Sequence, residues 1–286
     1  MVTSQGLKAN IRIFALLSVL TGVFLGAGYF FGGTGGLVIG LVFAGLLNFA
    51  SYWFSDRIVL KMYGARPLEK TEAPDLHSSI EQMAEKAGIP KPDVYINDMQ
   101  VPNAFATGRN PEHGVVCVTE GLMNSLDQEE VEGVIAHELA HIKNRDSLIN
   151  AVVTTLAGAL SVLAEMAFWG AMFGTDEEGA DMIGSLAFMI VVPFIATIVR
   201  LAISRGMEYR ADSTGVKIKG DRESLSSALK KINSANQGSR YRASRVQEAG
   251  SNLFIENPFS GRKITNVFST HPSLEDRLDN IEKTEV

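Results

Sequence analysis

The sequence predicts a mainly α-helical, multi-pass membrane protein, with four transmembrane helices in two hairpins and one polar α+β domain on a single side of the bilayer. Three observations predict it. From Ile13 to Ser55, 43 consecutive residues include no Asp, Glu, Lys or Arg, more than any core element of a soluble domain requires. Two further charge-free runs, Ser147 to Ala164 and Met182 to Val199, lie on either side of an acidic segment, Asp176 to Asp181. Lys and Arg cluster at the same end of every apolar run.

Composition agrees. The 286 residues are 46% apolar and 20% charged, against about a quarter charged in soluble domains. High apolar content excludes a disordered chain. A net charge of −6 argues against a general nucleic-acid binder. A single cysteine, Cys117, excludes an internal disulfide framework and suits a reducing compartment.

An α-helix rises about 1.5 Å per residue, so roughly 20 apolar residues cross the hydrocarbon core. The first run holds two such spans, 13–31 and 36–54, around a glycine-rich turn, Gly32-Gly33-Thr34-Gly35-Gly36. A cleaved signal peptide is disfavoured, because the run is too long and a second span follows. The second pair of runs forms the other hairpin; its competing reading is a buried helical hairpin of a soluble domain, since 18 residues is the lower edge for a span. Lys8 and Arg12 precede span one, Arg57, Lys61, Arg66 and Lys70 follow span two, Lys143 and Arg145 precede span three, and Arg200, Arg205 and Arg210 follow span four. The positive-inside rule then puts both termini and the polar bulk in the cytoplasm. The predicted organisation is a cytoplasmic N-terminus (1–12), a first hairpin (13–54), one part of the polar domain (55–146), a second hairpin (147–202) and the other part (203–286).

Within the polar domain, Pro74 to Gly88 has helical spacing, with Leu76, Ile80, Met83 and Ala87 on one face. Asp93 to Asn97 and Gly114 to Thr119 are predicted strands. Asp127 followed by Glu130 has capping-box spacing, so a helix over 127–146 is expected. Gln237 to Gly250, rich in Ser, Arg and Gly, is an expected mobile loop.

That helix carries His137-Glu138-Leu139-Ala140-His141. Residues four apart share a helix face, so the two imidazoles can bind one tetrahedral Zn²⁺. Zinc lowers the pKa of a bound water to about 7, and Glu138 beside the first imidazole is placed to take its proton. With five histidines in 286 residues, chance supplies roughly 0.005 matches to this pattern. A third ligand is needed. Glu208, in Glu208-Tyr209-Arg210-Ala211-Asp212, is the candidate, against the plainer reading of Glu208 and Arg210 as interface charges. Span three begins just after His141 and span four ends just before Glu208, so a hairpin brings the two segments together at the inner membrane surface. Asp212, one turn beyond Glu208, can accept the ring N–H of a ligating histidine.

These residues, H-E-L-A-H-I-K-N-R-D (137–146), E-Y-R-A-D (208–212), N-A-F-A-T-G (103–108) and S-T-H-P-S-L-E-D-R-L (269–278), together resemble the HtpX-like membrane zinc metalloproteases, bacterial relatives of the CAAX prenyl proteases. The resemblance covers essentially the whole chain. It implies a gluzincin-like α+β zinc-protease domain, one Zn²⁺ per chain on His137, His141 and Glu208, and Glu138 as general base. It also implies a bacterial cytoplasmic (inner) membrane enzyme that cleaves membrane proteins in quality control or stress. The expected partners are protein substrates and the lipid bilayer, with no nucleic acid.

Asn103-Ala104-Phe105 looks like the gluzincin edge strand, which pairs with an extended substrate; the alternative is a plain strand with Phe105 in the core. His271, before Pro272, is a candidate donor to the oxyanion, although packing, with Arg277 holding the C-terminal helix, is the favoured reading. Asp146 is expected to cap or brace the zinc helix. His77 and His113 are expected on the surface and Cys117 buried and inert; Glu165 is expected near the outer interface. Two other functions compete: a metal-ion transporter, which would place its ligands near the bilayer midplane, and an inactive protease-like scaffold, which would have lost a ligand.

Overall fold

The computed structural model describes residues 4–157, 160, 205–238, 253, 255 and 272–286. Helix α1 (Ser4–Trp53) is two helices joined at Gly32 and Gly33, where Gly33 takes φ 55°, a region costly to any residue with a Cβ. The expected glycine turn is thus compressed into its first two residues, and the rest of it is helical. Two stretches of α1, Asn10–Tyr29 and Gly32–Trp53, are long and apolar enough to cross a bilayer. They pack antiparallel: Gly28 lies against the backbone of Gly36, and Gly40 against that of Phe24. The Asn48 amide donates to Thr21 Oγ1 at 2.9 Å. Small residues at the crossing and one polar link are what hold helices together where burial in lipid gives no hydrophobic drive. Phe14, Val38 and Leu46 stay more than half exposed, as lipid-facing side chains do.

Helix α2 (Ser55–Met62) leads into a four-stranded sheet of β1 (Arg66–Pro67), β2 (Asp93–Asn97), β3 (Ala104–Thr107) and β4 (Val115–Thr119), in the order β1-β2-β4-β3. β2 and β4 run parallel, and β1 and β3 pair antiparallel at the two edges. Both strands expected from the sequence are present, β4 starting one residue later than expected. Helix α3 (Pro74–Ala87) has Pro74 in its first turn and ends on Gly88 at φ 70°, the usual proline-in, glycine-out pattern. Leu76, Ile80, Met83 and Ala87 are all buried. His77 corrects an expectation: it is buried, with Nε2 2.8 Å from the Leu68 carbonyl. That single hydrogen bond is what makes burial of the ring tolerable. His113 is exposed, as expected, at the end of a 3-10 turn, Pro111–His113.

After the short α4 (Glu120–Ser125), the central helix α5 (Gln128–Asn144) starts at a complete capping box: Asp127 accepts from the Glu130 amide and Glu130 from the Asp127 amide, both at 3.0 Å. Val134, Ile135, Leu139 and Ile142 bury almost all their surface. Arg145 closes α5 in the left-handed conformation, φ 63°. Helix α6 (Asp146–Ala157) follows at once and packs Ile149, Val152 and Leu156 against Ile13, Leu16 and Leu20 of the first hairpin. It carries the start of the second apolar run, the expected third span. The remainder of the second hairpin, Glu165 included, lies outside the described residues. Helices α7 (Arg205–Lys219), α8 (Glu223–Gly238) and α9 (Leu274–Glu282) complete the domain. Gln237 and Gly238, expected in a loop, end α8; the rest of that expected loop is outside the described residues.

Candidate active site

The site forms between α5 and α7. On α5, the 3.6-residue repeat puts His137 and His141 on one face, and both, with Glu138, are at most 5% exposed. On α7, Glu208, Ala211, Asp212 and Gly215 are all buried and follow the i, i+3, i+4, i+7 spacing of a single stripe. The close approach depends on Gly215, where a Cβ would fall 2.9 Å from the backbone N and Cα of His137. Glu208 thereby reaches both rings. Its carboxylate oxygens lie 3.8 Å from His137 Nε2 and 3.6 Å from His141 Nε2, and the two Nε2 atoms are 3.1 Å apart. One donor atom from each residue falls within 4.8 Å of the others.

A second layer of charge holds these groups. Asp212 Oδ1 is 2.9 Å from His137 Nδ1. The fully buried Arg277 of α9 grips Asp212 with Nη2 at 2.6 Å and Nε at 3.0 Å, and gives Nη1 to the Ile255 carbonyl at 2.9 Å. Asp146, at the start of α6, lies 3.6 Å from His141 Nδ1 and takes both its oxygens to Arg210 Nη2, at 2.9 and 3.1 Å. Each imidazole therefore has a carboxylate on its Nδ1 side, close for His137 and at longer range for His141, whose charge favours a proton on Nδ1 and leaves the Nε2 lone pair facing inward.

Burial lowers the pKa of His137, although Asp212 opposes it. For His141 burial pulls down as well, but Asp146, Glu208 and Glu138 outweigh it and raise the ring to about 9. Burial pushes the Glu138 carboxyl up to about 8 against the pull of His141, with the Glu208 charge adding and the Ala106 amide tempering the rise. Burial also acts to raise Asp212, but Arg277 and His137 hold it below the usual carboxylate range.

A divalent cation fits this arrangement on two counts. Two inward-facing Nε2 lone pairs 3.1 Å apart repel unless a cation or proton lies between them. The separations of 3.1 to 3.8 Å also bracket the roughly 3.3 Å ligand-to-ligand spacing of a tetrahedral site with bonds of about 2.0–2.1 Å. Four carboxylates, on Glu138, Glu208, Asp146 and Asp212, are buried around the two imidazoles, and among the described residues Arg210 pairs with Asp146 and Arg277 with Asp212.

The edge strand β3 borders the site. Its register, with Phe105 opposite Cys117 and the Thr119 amide bonded to the Asn103 carbonyl at 3.0 Å, makes Phe105 the hydrogen-bonded position. By alternation the backbone groups of Ala104 and Ala106 turn away from β4, and the Ala106 amide meets the Glu138 carboxylate. The Phe105 side chain is in the core against Tyr63, ring centroids 5.4 Å apart. Asn103 is buried, its Oδ1 accepting from the Ile255 backbone N–H at 3.0 Å and its own backbone N–H donating to Thr119 Oγ1 at 2.9 Å. His271 lies outside the described residues. Cys117 is buried, and burial pushes its thiol up, which leaves it inert. The grips of Arg277 on Asp212 and of Arg210 on Asp146 escape sequence reasoning, as does the packing role of Gly215. The available signal was an arginine inside an otherwise amphipathic terminal helix and a glycine three and seven residues past two acids.

The profile of Peptidase family M48 matches residues 70–285. A protein named "Protease HtpX homolog" from Pyrococcus furiosus is 48% identical over 283 residues, covering 98% of this chain and 97% of that one. One of the same name from Aquifex aeolicus is 50% identical over 268 residues, covering 91% and 88%. Among solved structures, Ste24p of S. mikatae matches with a TM-score of 0.50 at 20% identity, covering 97% of this chain and 66% of that one; this chain spans just under two thirds of that neighbour, and the likeness is one of fold. The family match over most of the chain and the identity near one half to HtpX-type relatives lead to one conclusion: the chain belongs to peptidase family M48, among the HtpX-type metalloproteases.

Proposed function

We propose that this chain is an integral-membrane zinc endopeptidase that cuts peptide bonds of membrane proteins at the cytoplasmic face of the cytoplasmic membrane. One zinc ion per chain is held by His137, His141 and Glu208. Residues 55–146 and 203–286 form a single gluzincin-like protease domain, set between the first hairpin and a second one over 147–202. The observation that carries the reading is the convergence of three buried donors from two helices, within 4.8 Å of one another, beside a buried carboxylate and a strand edge.

When bound, zinc polarises the scissile carbonyl and makes water acidic enough to lose a proton near neutrality. The chain's own residues do the rest. Glu138 takes the proton of the attacking water and passes it to the leaving amine. Asp212 and Asp146 keep the two imidazoles in the tautomer that presents Nε2. The backbone groups of Ala104 and Ala106 that turn away from β4 pair with an extended substrate, whose arrival displaces the Ala106 amide from Glu138 and lays the scissile bond beside that carboxylate; main-chain pairing supplies the affinity and suits an enzyme that accepts many sequences. The orientation rests on the Lys and Arg flanking each apolar run.

The test is zinc content by metal analysis together with casein cleavage by the purified full-length chain, with and without chelator. One zinc per chain and chelator-sensitive cleavage support the reading. Cleavage indifferent to chelator, or stoichiometric zinc without cleavage of any unfolded protein, overturns it.

A further inference from the structure

Each element that carries a piece of the site is tied to the end of an apolar helix. On the strand side, the Arg109 guanidinium lies 5.1 Å from the centroid of the Trp53 ring, and Trp53 is the last residue of the second candidate span. Arg109 Nη2 also donates to His113 Nε2 at 2.6 Å, and His113 Nδ1 lies 2.7 Å from Asn110 Oδ1, so the loop leaving β3 is braced with its guanidinium on that ring. On α7, Met207 is buried in the same apolar cluster as Ile13, Leu16 and Leu20 of the first hairpin, and Arg12 Nη1 lies 3.3 Å from its Sδ. On α5, His141 meets Asp146 at 3.6 Å, and Asp146 opens α6, which packs on that hairpin. Ala106, Glu208 and His141 thus stand three, one and five residues from Arg109, Met207 and Asp146.

We propose that these three mounts fix the scissile position at one height above the bilayer, so that the substrates are juxtamembrane segments, cut at a set separation from the substrate's own membrane boundary. This rests on the membrane-endopeptidase reading above and adds to it a rule for which bonds are reached.

The level of the bilayer surface is marked at Trp53. Phe49, Tyr52, Trp53 and Phe54 all stay more than a third exposed, with ring centroids 5.8 to 6.1 Å apart, and Arg57 lies 5.9 Å over the Phe54 ring. Aromatic side chains with a cation just beyond them at a span end belong at headgroup level.

The height follows from chain lengths. From Arg109 back to Ala106, whose amide meets Glu138, three residues reach at most about 11 Å. The headgroup layer adds about 5–7 Å on each face. A substrate leaving the hydrocarbon core therefore has about 17 Å to cover, which takes about five residues if extended and about ten if it is a flexible coil. A shorter connection drags apolar residues out of lipid, which opposes binding. A longer one dilutes the tethered segment roughly as the −3/2 power of its length, so a fourfold longer connection is about eightfold slower.

The experiment places the zinc-replete full-length chain with a single-span substrate in vesicles of phosphatidylethanolamine and phosphatidylglycerol. The substrate's tail repeats one short cleavable unit, so sequence preference is the same at every distance; one version carries the tail after its span, another before it. Mass spectrometry of the first products reads where each tail is cut, and casein is the untethered control. Initial cuts are expected about five to ten residues from the span, none closer than about three, and about eightfold fewer at four times that separation, in at least one version. Cuts spread evenly along both tails, with casein cleaved, overturn the proposal and leave the zinc-protease reading standing; casein uncut removes both. A second readout needs no activity. The chain has two tryptophans, so Trp169→Phe leaves Trp53 alone, and its fluorescence is expected to be quenched more by lipids brominated near the headgroup than by lipids brominated near the chain end. Stronger quenching from the chain end, or none from either, removes Trp53 from the interface and overturns the proposal.

Discussion

Asp212 Oδ1 sits 2.9 Å from His137 Nδ1, while Arg277 holds both oxygens of the same carboxylate, Nη2 on that Oδ1 and Nε on Oδ2. Arg277, 65 residues further along the chain, thus orients His137 through one intermediary. Replacing a group that orients a metal-bound histidine typically costs about 10–100-fold in metal affinity. Asp212→Asn keeps the shape and removes the charge, and it is expected to weaken zinc binding by that factor. Competition against a chromophoric chelator measures it. Unchanged affinity would show that Asp212 serves packing alone.

Glu138→Gln separates the base from the ligands. The amide retains the size of the carboxylate and the contact at Ala106, but it cannot accept a proton. Peptide cleavage is expected to fall by about 10²–10⁴-fold, the range of a lost general base, with stoichiometric zinc retained. Wild-type turnover in a zinc-replete Glu138→Gln protein would remove Glu138 from the mechanism.

Gly215→Ala tests whether the fit of α7 against α5 sets the site. The added Cβ meets His137 backbone at 2.9 Å, and a backbone cannot rotate aside as a side chain can. Overpacking of this kind costs about 1–3 kcal/mol. Because Glu208 is two turns away on the same helix, the displacement should also weaken zinc binding. Lower thermal stability with intact zinc affinity would mean that the carboxylate reaches the rings even with α7 displaced.

The features legible in the sequence were those written locally. Asp127 and Glu130 announce the start of α5 because capping needs only a three-residue spacing. His137 and His141 share a face because a helix repeats every 3.6 residues. Glu208 was reachable by a topological step, since consecutive ends of a hairpin lie side by side. The Asp212–Arg277 and Asp146–Arg210 pairs were not legible, because each joins segments more than sixty residues apart and nothing in either segment names its partner. His77 was misjudged for a related reason. Its place on α3 looks exposed in projection, and only the chain returning through Leu68 covers it. The edge position of β3 was legible from its motif, but the burial of Phe105 beneath α2 depends on Tyr63, which lies on a different element.

Glu130 offers a pH-dependent measure of the α5 start. Burial acts to raise its carboxyl, but Lys231, Ser227 and the Asp127 amide hold it below its ordinary value. A carboxylate whose folded pKa is depressed stabilises the fold above its unfolded pKa, and that contribution is lost as pH falls through the folded pKa. Glu130→Gln is therefore expected to lose roughly 1 kcal/mol at neutral pH, and the gap to wild type should close below about pH 4. Denaturation of both proteins across that interval checks it, and a gap independent of pH would assign the loss to packing.

Removal of the metal should be felt as instability, because the site buries several carboxylates and two imidazoles against one another. Glu138, Glu208, Asp146 and Asp212 are all at most 3% exposed, and among the described residues Arg210 pairs with Asp146 and Arg277 with Asp212. Without a divalent cation these groups are relieved by taking up protons, toward which the raised pKa values of Glu138 and His141 point, or by separating α5 from α7. A ligand present at a thousand times its Kd stabilises the folded state by about 4 kcal/mol, and chelation withdraws that amount. Stripping the full-length chain with chelator is therefore expected to lower its thermal transition by several degrees, and stoichiometric zinc should restore it. Glu208→Ala should start from the lower transition and respond to neither addition. A transition unmoved by chelator in the wild-type chain, with metal loss verified, would show that the α5–α7 contact stands without an ion between its histidines.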